Sequence, residues 1–583
     1  MFFILSLVLG TACMPAPHVD VPDTLQAVVV SADRSAVVSR VDTLIVDGSI
    51  SDVPLSDVLS RMPGVQINDY GGIAGTKNIS IRGMGSTHTS VMVDGIKVGN
   101  AQSGMIDLGM LGLENMSSMT VDYVGSRVNL TTARPGFREG RSVCGRVALN
   151  AGSFGTWIPS ARLGFKLSDK VSASVNASGN VSRGDFPFGD GQRRDNNDMH
   201  QFRGGADVFG DGWKVKMFWN SSDRGVPGSL TWPSADRQKD RNAFVQGTVG
   251  KSVTGLYSFD VRAKVSYDRM LYTAPTYAND YLQYGAMLGT CQTLTPARWC
   301  RISLNEDIQG DILEADSFGA RRISNSTKLV SAFEVKRLKA DVALEYIGAW
   351  DGGGVSHSCF APSLGLRFKA SEWFDMVGTV RRAYRIPNFN DLYYTGMGNP
   401  ELLPEDAWMT GLELSAHSGW GRWKLAASGD LFYNSLKNKI VSAPTEDPYL
   451  WMMYNLGEAE VYGVDSMLSL RYESDLSAGL MAGYAFQDGT MIPYQPRHSV
   501  RVAADIGYKG WSLSAGWSLR GTRHDSYDAE MPSYSLWDIT LVKKLGDFTV
   551  KLLARNVCDR YYEIVTSYPM PGVNVMGTIQ YEF

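Results

Sequence analysis

The sequence predicts a closed, membrane-spanning β-barrel preceded by a small α+β domain. From about residue 140 onward, apolar and polar side chains alternate along runs of nine or ten residues, the length of a tilted strand that crosses a membrane. The first 130 residues instead combine one helical segment with short strand-like runs. The 61 Gly, 26 Tyr, 22 Phe and 14 Trp residues fit a chain of many strands and turns.

Charge, hydropathy and motifs exclude three classes of protein. The 583 residues include 56 Lys and Arg against 60 Asp and Glu, without a basic block, so no nucleic-acid partner is expected. After the first dozen residues no apolar run approaches the roughly 18 residues of a membrane-spanning helix. The hydrolase motifs GxSxG and HExxH are absent, and residues 250–252 lack the first glycine of a phosphate-binding loop, so we expect no enzyme.

An export signal is predicted over residues 1–20. Residues 2–10 are apolar and are followed by the small residues Thr11 and Ala12, although the positively charged start of such signals is missing. This signal would place the protein outside the cytoplasm. Cleavage after Ala12 would leave Cys13 as a lipid attachment site, which is the less favoured alternative.

Residues 21–130 are predicted to contain the α+β domain. Apolar residues repeat at helical spacing between Leu55 and Met62, and the Pro-Gly pair at residues 63–64 ends that helix. Strand-like runs such as residues 90–93 end in glycine turns. One short helix among several strands is therefore expected.

Residues 131–583 are predicted to form the barrel. From Phe259 to Tyr267 one face of the strand is apolar and the other is charged, so the two faces have to meet two different solvents. Lipid offers no hydrogen bonds, so the sheet has to close on itself. At roughly 20 residues per strand and connection, the segment accommodates about 22 antiparallel strands, and a lumen of that size holds the N-terminal domain as a plug. Val575 to Phe583 form a lipid-facing final strand.

Long polar loops are predicted at residues 183–200, 273–311 and 442–453. Cys291 and Cys300 lie within the second of these loops, and we predict that they form a disulfide in an oxidising compartment. Two free thiols are the alternative. The six cysteines show no spacing that suits a metal site.

Motifs along nearly the whole chain resemble those of TonB-dependent outer-membrane receptors, most closely the cobalamin receptor type. The matching segments are residues 23–32 (the TonB box), 57–59, 62–65, 81–83 and 93–95 in the plug, and 384–394, 398–405, 556–562 and 569–572 in the barrel. The Gly-Pro, Tyr-Gly and Gly-Gly-Val-Ile-Asn runs that usually enter the barrel are missing after Val124. The resemblance implies a receptor in the outer membrane of a Gram-negative bacterium.

The resemblance also implies active import powered by TonB in the inner membrane. The predicted TonB-binding residues are Thr24, Leu25, Gln26, Ala27, Val28, Val29 and Val30. This apolar, β-branched segment can add as an edge strand to a partner sheet. An ordinary first strand of the plug is the alternative.

Substrate-binding residues are predicted on two plug loops, residues 69–78 and 98–107, because an outside ligand meets these first. They are Tyr70, Ile73, Thr76, Asn100, Gln102, Ser103 and Met105. Their mixture of apolar surface and hydrogen-bonding groups suits cobalamin. Solvated glycine-rich turns are the alternative.

Several alternatives stay open for the ligand. Haem is disfavoured because the loop from Arg385 to Pro400 has no histidine. A ferric siderophore is the closer rival, with Tyr393, Tyr394, Tyr449 and Trp451 as an aromatic site. A passive porin or an adhesin barrel is less favoured, since neither needs a TonB box.

The remaining expectations concern ions and partners. Asp190, Asp195 and Asp198, with Asn196 and Asn197, make an oxygen-rich outer loop that could hold calcium, although a solvated acidic loop is favoured. No cofactor is required. The expected partners are TonB, a large nutrient, outer-membrane lipid and, as an option, a surface-exposed lipoprotein.

Overall fold

The structure is a computed structural model that describes residues 38–48, 50–446, 450–490 and 493–583. The predicted signal, residues 1–20, and the predicted TonB-binding residues 24–30 lie outside the described residues. Within the described part of the chain no helix is long and apolar enough to cross a membrane.

The N-terminal domain is a five-stranded sheet with a separate hairpin and one helix, and we call it the plug. Its sheet has the order β1-β6-β7-β4-β5, and β2 and β3 form the hairpin. The elements are β1 Val41–Ile45, α1 Leu55–Leu59, β2 Val65–Asp69, β3 Lys77–Ile81, β4 Ser90–Val93, β5 Ile96–Val98, β6 Met116–Asp122 and β7 Arg127–Thr132, with 3-10 turns at Ser86–His88 and Leu108–Met110.

The predicted helix is confirmed as α1. Pro54 precedes its first residue, where a missing N–H costs no hydrogen bond, and Leu55, Val58 and Leu59 are buried in the plug core. The core continues across the sheet through residues such as Val128, which is fully buried. The plug therefore has an apolar core of its own.

The rest of the chain forms a closed antiparallel barrel of 22 strands, which confirms the predicted fold class. The last strand pairs with the first, so the sheet has no free edge. The first eleven strands are β8 Val143–Gly152, β9 Thr156–Lys166, β10 Ser172–Ser182, β13 Met199–Phe209, β14 Trp213–Gly228, β15 Pro233–Ser252, β16 Tyr257–Thr273, β17 Ala278–Ala297, β18 Cys300–Ala315, β19 Gly319–Val335 and β20 Leu338–Asp351. The other eleven are β21 Ser356–Lys369, β22 Phe374–Arg385, β23 Glu405–Trp420, β24 Trp423–Pro444, β25 Trp451–Tyr472, β26 Leu476–Gly489, β27 His498–Tyr508, β28 Trp511–Arg520, β31 Tyr534–Leu545, β32 Phe548–Arg555 and β33 Asn574–Glu582.

Smaller elements lie in the connections. They are the hairpin β11 Pro187–Phe188 with β12 Gln192–Arg193, the helix α2 Phe389–Tyr393, the hairpin β29 Arg523–His524 with β30 Glu530–Met531, and a 3-10 turn at Ser153–Gly155.

Strand alternation sorts the side chains between lipid and lumen. On β16, Val265 is 58% exposed on the outer face, whereas its neighbour Lys264 is buried in the lumen. The final strand follows the same rule, because Ile579 is 60% exposed and Gln580 is buried. Outward apolar and inward polar faces are what a lipid-embedded barrel requires.

The two ends of the barrel differ. At one end, strands are joined by turns of two to five residues, and we call this the short-turn end. At the other, the long-loop end, connections include residues 183–198, 386–404, 521–533 and 556–573. The plug lies in the lumen between these ends.

The predicted loop at residues 273–311 is wrong. This segment is mostly β17 and β18, which pair over their length. Its strands contain many polar residues because one face lines the lumen, and that polarity resembles a loop in the sequence.

The predicted disulfide is not formed, since Cys291 and Cys300 are both free thiols. They lie on neighbouring strands, but Cys291 is opposite Asn305 and Cys300 is opposite Ala297. The two cysteines are therefore offset along the strands by several residues at about 3.3 Å each, well beyond the reach of a disulfide.

Candidate functional site in the barrel lumen

A buried group of charges joins the plug to the barrel wall, and we call it the central ion cluster. It consists of Arg40, Asp42 and Arg82 from the plug and Asp430 and Asp465 from β24 and β25. Arg82 contacts both barrel carboxylates, with its Nε 3.1 Å from Asp465 Oδ2. Arg40 lies 3.1 Å from Asp42 and 3.7 Å from Asp430. Each of these side chains is only about 1% exposed.

Aromatic rings enclose the two guanidinium groups of the cluster. The Arg82 guanidinium lies 5.0 Å from the ring centre of Tyr123 and 4.7 Å from that of Phe432. The Tyr123 hydroxyl donates to Asp42 at 3.0 Å. Burial opposes the charge on Arg82, but its two barrel carboxylates outweigh burial and raise the pKa of Arg82. Arg82 therefore stays charged, and its ion pairs with Asp430 and Asp465 hold plug and barrel together.

A second contact between plug and barrel lies at the long-loop end. His88, in a plug turn, hydrogen-bonds through Nε2 to Glu405 at the start of β23. Arg385 donates to the same carboxylate at 2.7 Å and to Asp391 of α2 at 2.9 Å. This histidine is engaged with the barrel wall and has a structural role.

The short helix α2 forms because two side chains cap it reciprocally. The Asp391 N–H donates to Asn388 Oδ1 at 2.8 Å, and the Asn388 N–H donates to Asp391 Oδ2 at 2.9 Å. The same turn then binds the plug, since Asn388 Nδ2 donates to the Ser103 carbonyl at 3.0 Å and the Phe389 N–H donates to the Ala101 carbonyl at 3.0 Å. The barrel segment singled out in the sequence therefore docks the plug.

Four predicted ligand residues lie on this docked loop. Gln102 is buried, and its N–H donates to Gln283 Oε1 at 2.9 Å, so this residue belongs to the plug–barrel contact. The Asn100 side-chain oxygen accepts from the Ser103 N–H and hydroxyl, both at 3.0 Å, and shapes the turn. Met105 is half-buried.

The other three predicted ligand residues lie on the loop between β2 and β3. Tyr70 packs edge to face on Tyr568 of the β32–β33 connection, with ring centres 5.4 Å apart. The Thr76 hydroxyl accepts a long hydrogen bond from Arg224 at 3.4 Å. Ile73 lines an internal cavity beside the plug and is the one predicted ligand residue that does so.

Charged side chains brace this loop. Arg224 donates to Asp107 at 2.7 Å, and Lys77 Nζ lies 3.6 Å from Asp69. Burial raises the pKa of Asp69 to about 6, although Lys77 opposes this shift. Burial also acts to raise the pKa of Asp107, but the nearby Arg224 guanidinium outweighs burial and lowers the pKa of this carboxyl group.

The predicted calcium residues do not converge. Asp198 is paired with Arg237 at 2.9 Å, and Asp190 and Asp195 are exposed. Across the described residues, no three His, Cys, Asp or Glu side chains lie together as a metal site would need. Calcium binding stays a prediction.

The loop that carries these residues instead fastens to the plug. Asn197 is buried and donates to the Gly71 carbonyl at 3.2 Å and to the Gly184 carbonyl at 3.0 Å.

The predicted aromatic siderophore site is dispersed. The Tyr393 hydroxyl donates to Asp351 at 2.7 Å, and Tyr394 packs against Phe318. Trp451 packs against Tyr527, whose ring centre is 6.3 Å away. Tyr449 lies outside the described residues.

The carboxylates that receive the plug were missed in the sequence. Asp430, Asp465 and Glu405 stand at inward-facing positions of their strands, where acidic residues are common. The sequence does indicate which side chains face the lumen, because alternate residues of a strand point to the same face. It does not indicate which plug residue such a side chain meets.

Comparison with known families agrees with this architecture. The family "TonB dependent receptor-like, beta-barrel" matches residues 143–557, and the "TonB-dependent Receptor Plug Domain" matches residues 43–129. The chain belongs to the TonB-dependent receptors. It is thus a transport protein of the outer membrane of Gram-negative bacteria, and its family implies TonB as a partner and a large nutrient as cargo. Lipid and lipoprotein partners stay predictions.

Individual relatives are distant but cover the whole chain. The chain is 22% identical to the "Vitamin B12 transporter BtuB" of Vibrio vulnificus (strain YJ016), over 97% of each sequence. Among solved structures, the FrpB iron transporter of Neisseria meningitidis (F3-3 variant) has a TM-score of 0.78 at 13% identity, covering 94% of this chain and 99% of that one. The copper transporter OprC also has a TM-score of 0.78 at 13% identity, covering 96% of this chain and 100% of that one. The structural neighbours share the fold.

Proposed function

We propose that this receptor binds cobalamin at its long-loop end and imports it across the outer membrane. The observation that carries the proposal is the full-length match to vitamin B12 transporters. A second such transporter, from Photobacterium profundum, is 22% identical over 91% of this chain and 90% of its own sequence. The absence of histidine between Arg385 and Pro400 also disfavours haem.

The surface offered to the ligand follows from the positions of the two plug loops. Tyr70 and Tyr568 present adjoining aromatic rings at the long-loop end, and Ile73 adds an apolar group. Such rings give a large amphipathic ligand apolar contact together with hydroxyl hydrogen bonds. Gln102 does not contribute, because it is buried against the barrel wall.

Import requires the plug to move. The central ion cluster and the α2 contact hold it in place, so ligand binding alone leaves the lumen closed. We infer that TonB adds residues 24–30 as a strand to its own sheet and pulls, using the energy of the inner-membrane proton gradient. Main-chain hydrogen bonds would carry this force with little dependence on side chains.

A ferric siderophore is the alternative cargo. Aromatic residues at the long-loop end favour it, but the Tyr393 hydroxyl is already bound to Asp351. Cobalamin therefore remains the first choice.

The deciding experiment measures binding of cyanocobalamin, haemin and a ferric siderophore to the purified receptor in detergent. We expect micromolar or tighter binding of cyanocobalamin alone, weakened in Tyr70→Ser. Tyr508→Ser is the matched control, because Tyr508 is 48% exposed and ends β27 at the short-turn end, away from the side that the ligand reaches first. Binding of the siderophore without cyanocobalamin would reject the proposed cargo.

A further inference from the structure

An internal cavity of about 350 Å³ separates one side of the plug from the barrel wall. Its plug side is formed by α1 and its flanks, from Ser51 to Arg61, and by residues 108–114. Its barrel side includes β27, β28, β31 and β32, and it reaches the connection between β32 and β33 through Tyr562 and Met570. The cavity therefore extends toward the long-loop end.

Three arginines line this cavity without an acidic partner. Among the described residues, Arg61, Arg501 and Arg520 have no carboxylate within 4.0 Å. Arg520 donates only to neutral oxygens, the Ser60 carbonyl at 3.3 Å and the Ser499 hydroxyl at 3.2 Å. The Arg501 Nε is buried and has no hydrogen-bond partner.

The other cations of the cavity wall are all paired. These pairs are Arg555 with Asp57 at 2.5 Å, Arg203 with Glu114 at 2.6 Å, Arg224 with Asp107 at 2.7 Å and Lys77 with Asp69 at 3.6 Å. The three unpaired guanidinium groups therefore differ from the rest of the wall.

Strand register and α1 bring the three arginines together. Arg520 is opposite Ser499 and Arg501 is opposite Ser518, so the two arginines share the inner face of neighbouring strands. Arg61 directly follows Ser60, whose carbonyl Arg520 contacts. The three side chains thus reach one cavity from three elements.

Like charges in a partly buried cavity are unfavourable without a counter-ion. Burial lowers the pKa of Arg61, and nearby Asp57 offsets this only in part. Of the other two carboxylates on this wall, Asp52 is paired with Lys551 at 2.8 Å, and Asp538 accepts the Asn556 N–H at 3.0 Å. Asp538 offsets the local excess of positive charge only in part, because this one carboxylate stands against three unpaired guanidinium groups.

We propose that Arg61, Arg501 and Arg520 form a binding site for an oxyanion inside the lumen. A planar guanidinium binds a carboxylate or a phosphate through paired hydrogen bonds, and three of them converge here. The volume suits a small anion or one anionic group of a larger cargo, not a whole large nutrient. The anion site goes beyond the proposed cobalamin import, since the proposal does not depend on which nutrient is carried.

The test is calorimetric titration of the purified full-length receptor, in neutral detergent at low ionic strength, with pyrophosphate and separately with citrate. We expect saturable binding of at least one of them, with a dissociation constant below about 1 mM. The double variant Arg61→Gln/Arg501→Gln should weaken this binding about tenfold or more. Arg501→Lys, which keeps the charge, should retain part of it.

Arg382→Gln is the matched control, because this arginine is paired with Asp406 at 2.6 Å and does not line the cavity. Its binding should equal that of the wild type. Absence of binding in the wild type, or equal binding in the double variant, would overturn the site. Competition by the transported nutrient would assign the site to a cargo group, and joint binding would assign it to a free anion. The direct titration with pyrophosphate or citrate contains neither TonB nor a nutrient, so failure of the anion site and failure of the cobalamin proposal can be told apart.

Discussion

Arg82 shows how strongly one plug residue depends on the barrel. Its backbone lies in the left-handed region, with φ at 50°, in the turn that follows β3. The turn directs the guanidinium toward Asp430 and Asp465, and the Arg82 side chain is only about 1% exposed. A buried ion pair adds little net stability compared with apolar side chains in the same place. Removing one member, however, leaves the other charges buried and unpaired.

Replacing Arg82 by alanine should therefore release the plug. We expect plug docking to become less favourable by about 3–5 kcal/mol, because Asp430 and Asp465 would be left buried without that cation. The measurement is chymotryptic cleavage within residues 38–132 of the purified receptor, since neither substitution removes a chymotrypsin site. Arg138→Ala is the control, since its pair with Asp547 is at the surface, and its cleavage pattern should match that of the wild type. An unchanged pattern in Arg82→Ala would contradict the role of the cluster.

Asp69 should make plug stability depend on pH. Its folded pKa of about 6 lies above the usual aspartate value of 3.8, so the folded protein takes up a proton that the unfolded chain does not. This group therefore contributes stability at pH values below about 4, and the contribution is lost as pH rises through about 6. Its upper limit is about 2–3 kcal/mol.

The check is the thermal midpoint of the plug at pH 5 and pH 7.5 in wild type and in Asp69→Asn. The rise in the midpoint toward low pH should be smaller in the variant, which cannot titrate. Asp169→Asn, at an exposed position, should keep the wild-type dependence. Identical pH dependence in all three proteins would exclude Asp69 as its source.

At the scale of the element, α2 and the plug loop from residue 98 to 107 act as one unit. Five residues are too few for an independent helix, so α2 depends on its capping box and on the plug carbonyls that it binds. In turn, the plug loop is held by this helix at Ala101 and Ser103. Any ligand that displaces one element therefore disturbs the other.

In the proposed mechanism the segment at residues 24–30 has a different task, because it pairs with TonB. Val28→Pro should abolish uptake while ligand binding at the outside persists, since proline removes a strand hydrogen-bond donor. Val28→Ile keeps both the N–H and the branched side chain and should transport normally. The measurement is uptake of labelled cyanocobalamin in cells, and uptake that survived the proline would remove the TonB assignment of this segment.

At the scale of the whole molecule, the two faces of the barrel meet different environments. Its apolar outer face suits the lipid of an outer membrane, and its polar lumen holds the plug through charges. Closure between β33 and β8 removes the last free edge, so the barrel sheet offers no unpaired strand edge to another chain.

A charge on the outer face should destabilise this arrangement. Val265 lies in the middle of β16 and is 58% exposed. Val265→Arg should cost about 2–4 kcal/mol near the centre of the bilayer, whereas Val265→Leu should be neutral. The measurement is the fraction of folded, heat-modifiable barrel in outer-membrane preparations. Equal folding of both variants would mean that this face is not in lipid.

The sequence was sufficient for the fold class and the order of plug and barrel. A period of two along each strand is a local property, and closure follows from the absence of hydrogen bonds in lipid. Strands β17 and β18 resemble a loop in the sequence, because their lumen-facing residues are of the same polar types that loops contain.

The arrangement of the site was decided by the tertiary structure alone. Arg82 and Asp465 are separated by 383 positions in the chain, and their contact depends on the register of strands that pair around the lumen. The same register brings Arg501 and Arg520 to one cavity beside Arg61, where no described carboxylate lies within 4.0 Å of these arginines, and it keeps Cys291 away from Cys300. Local patterns show which face a side chain occupies, but only the closed barrel shows which partner it meets across the lumen.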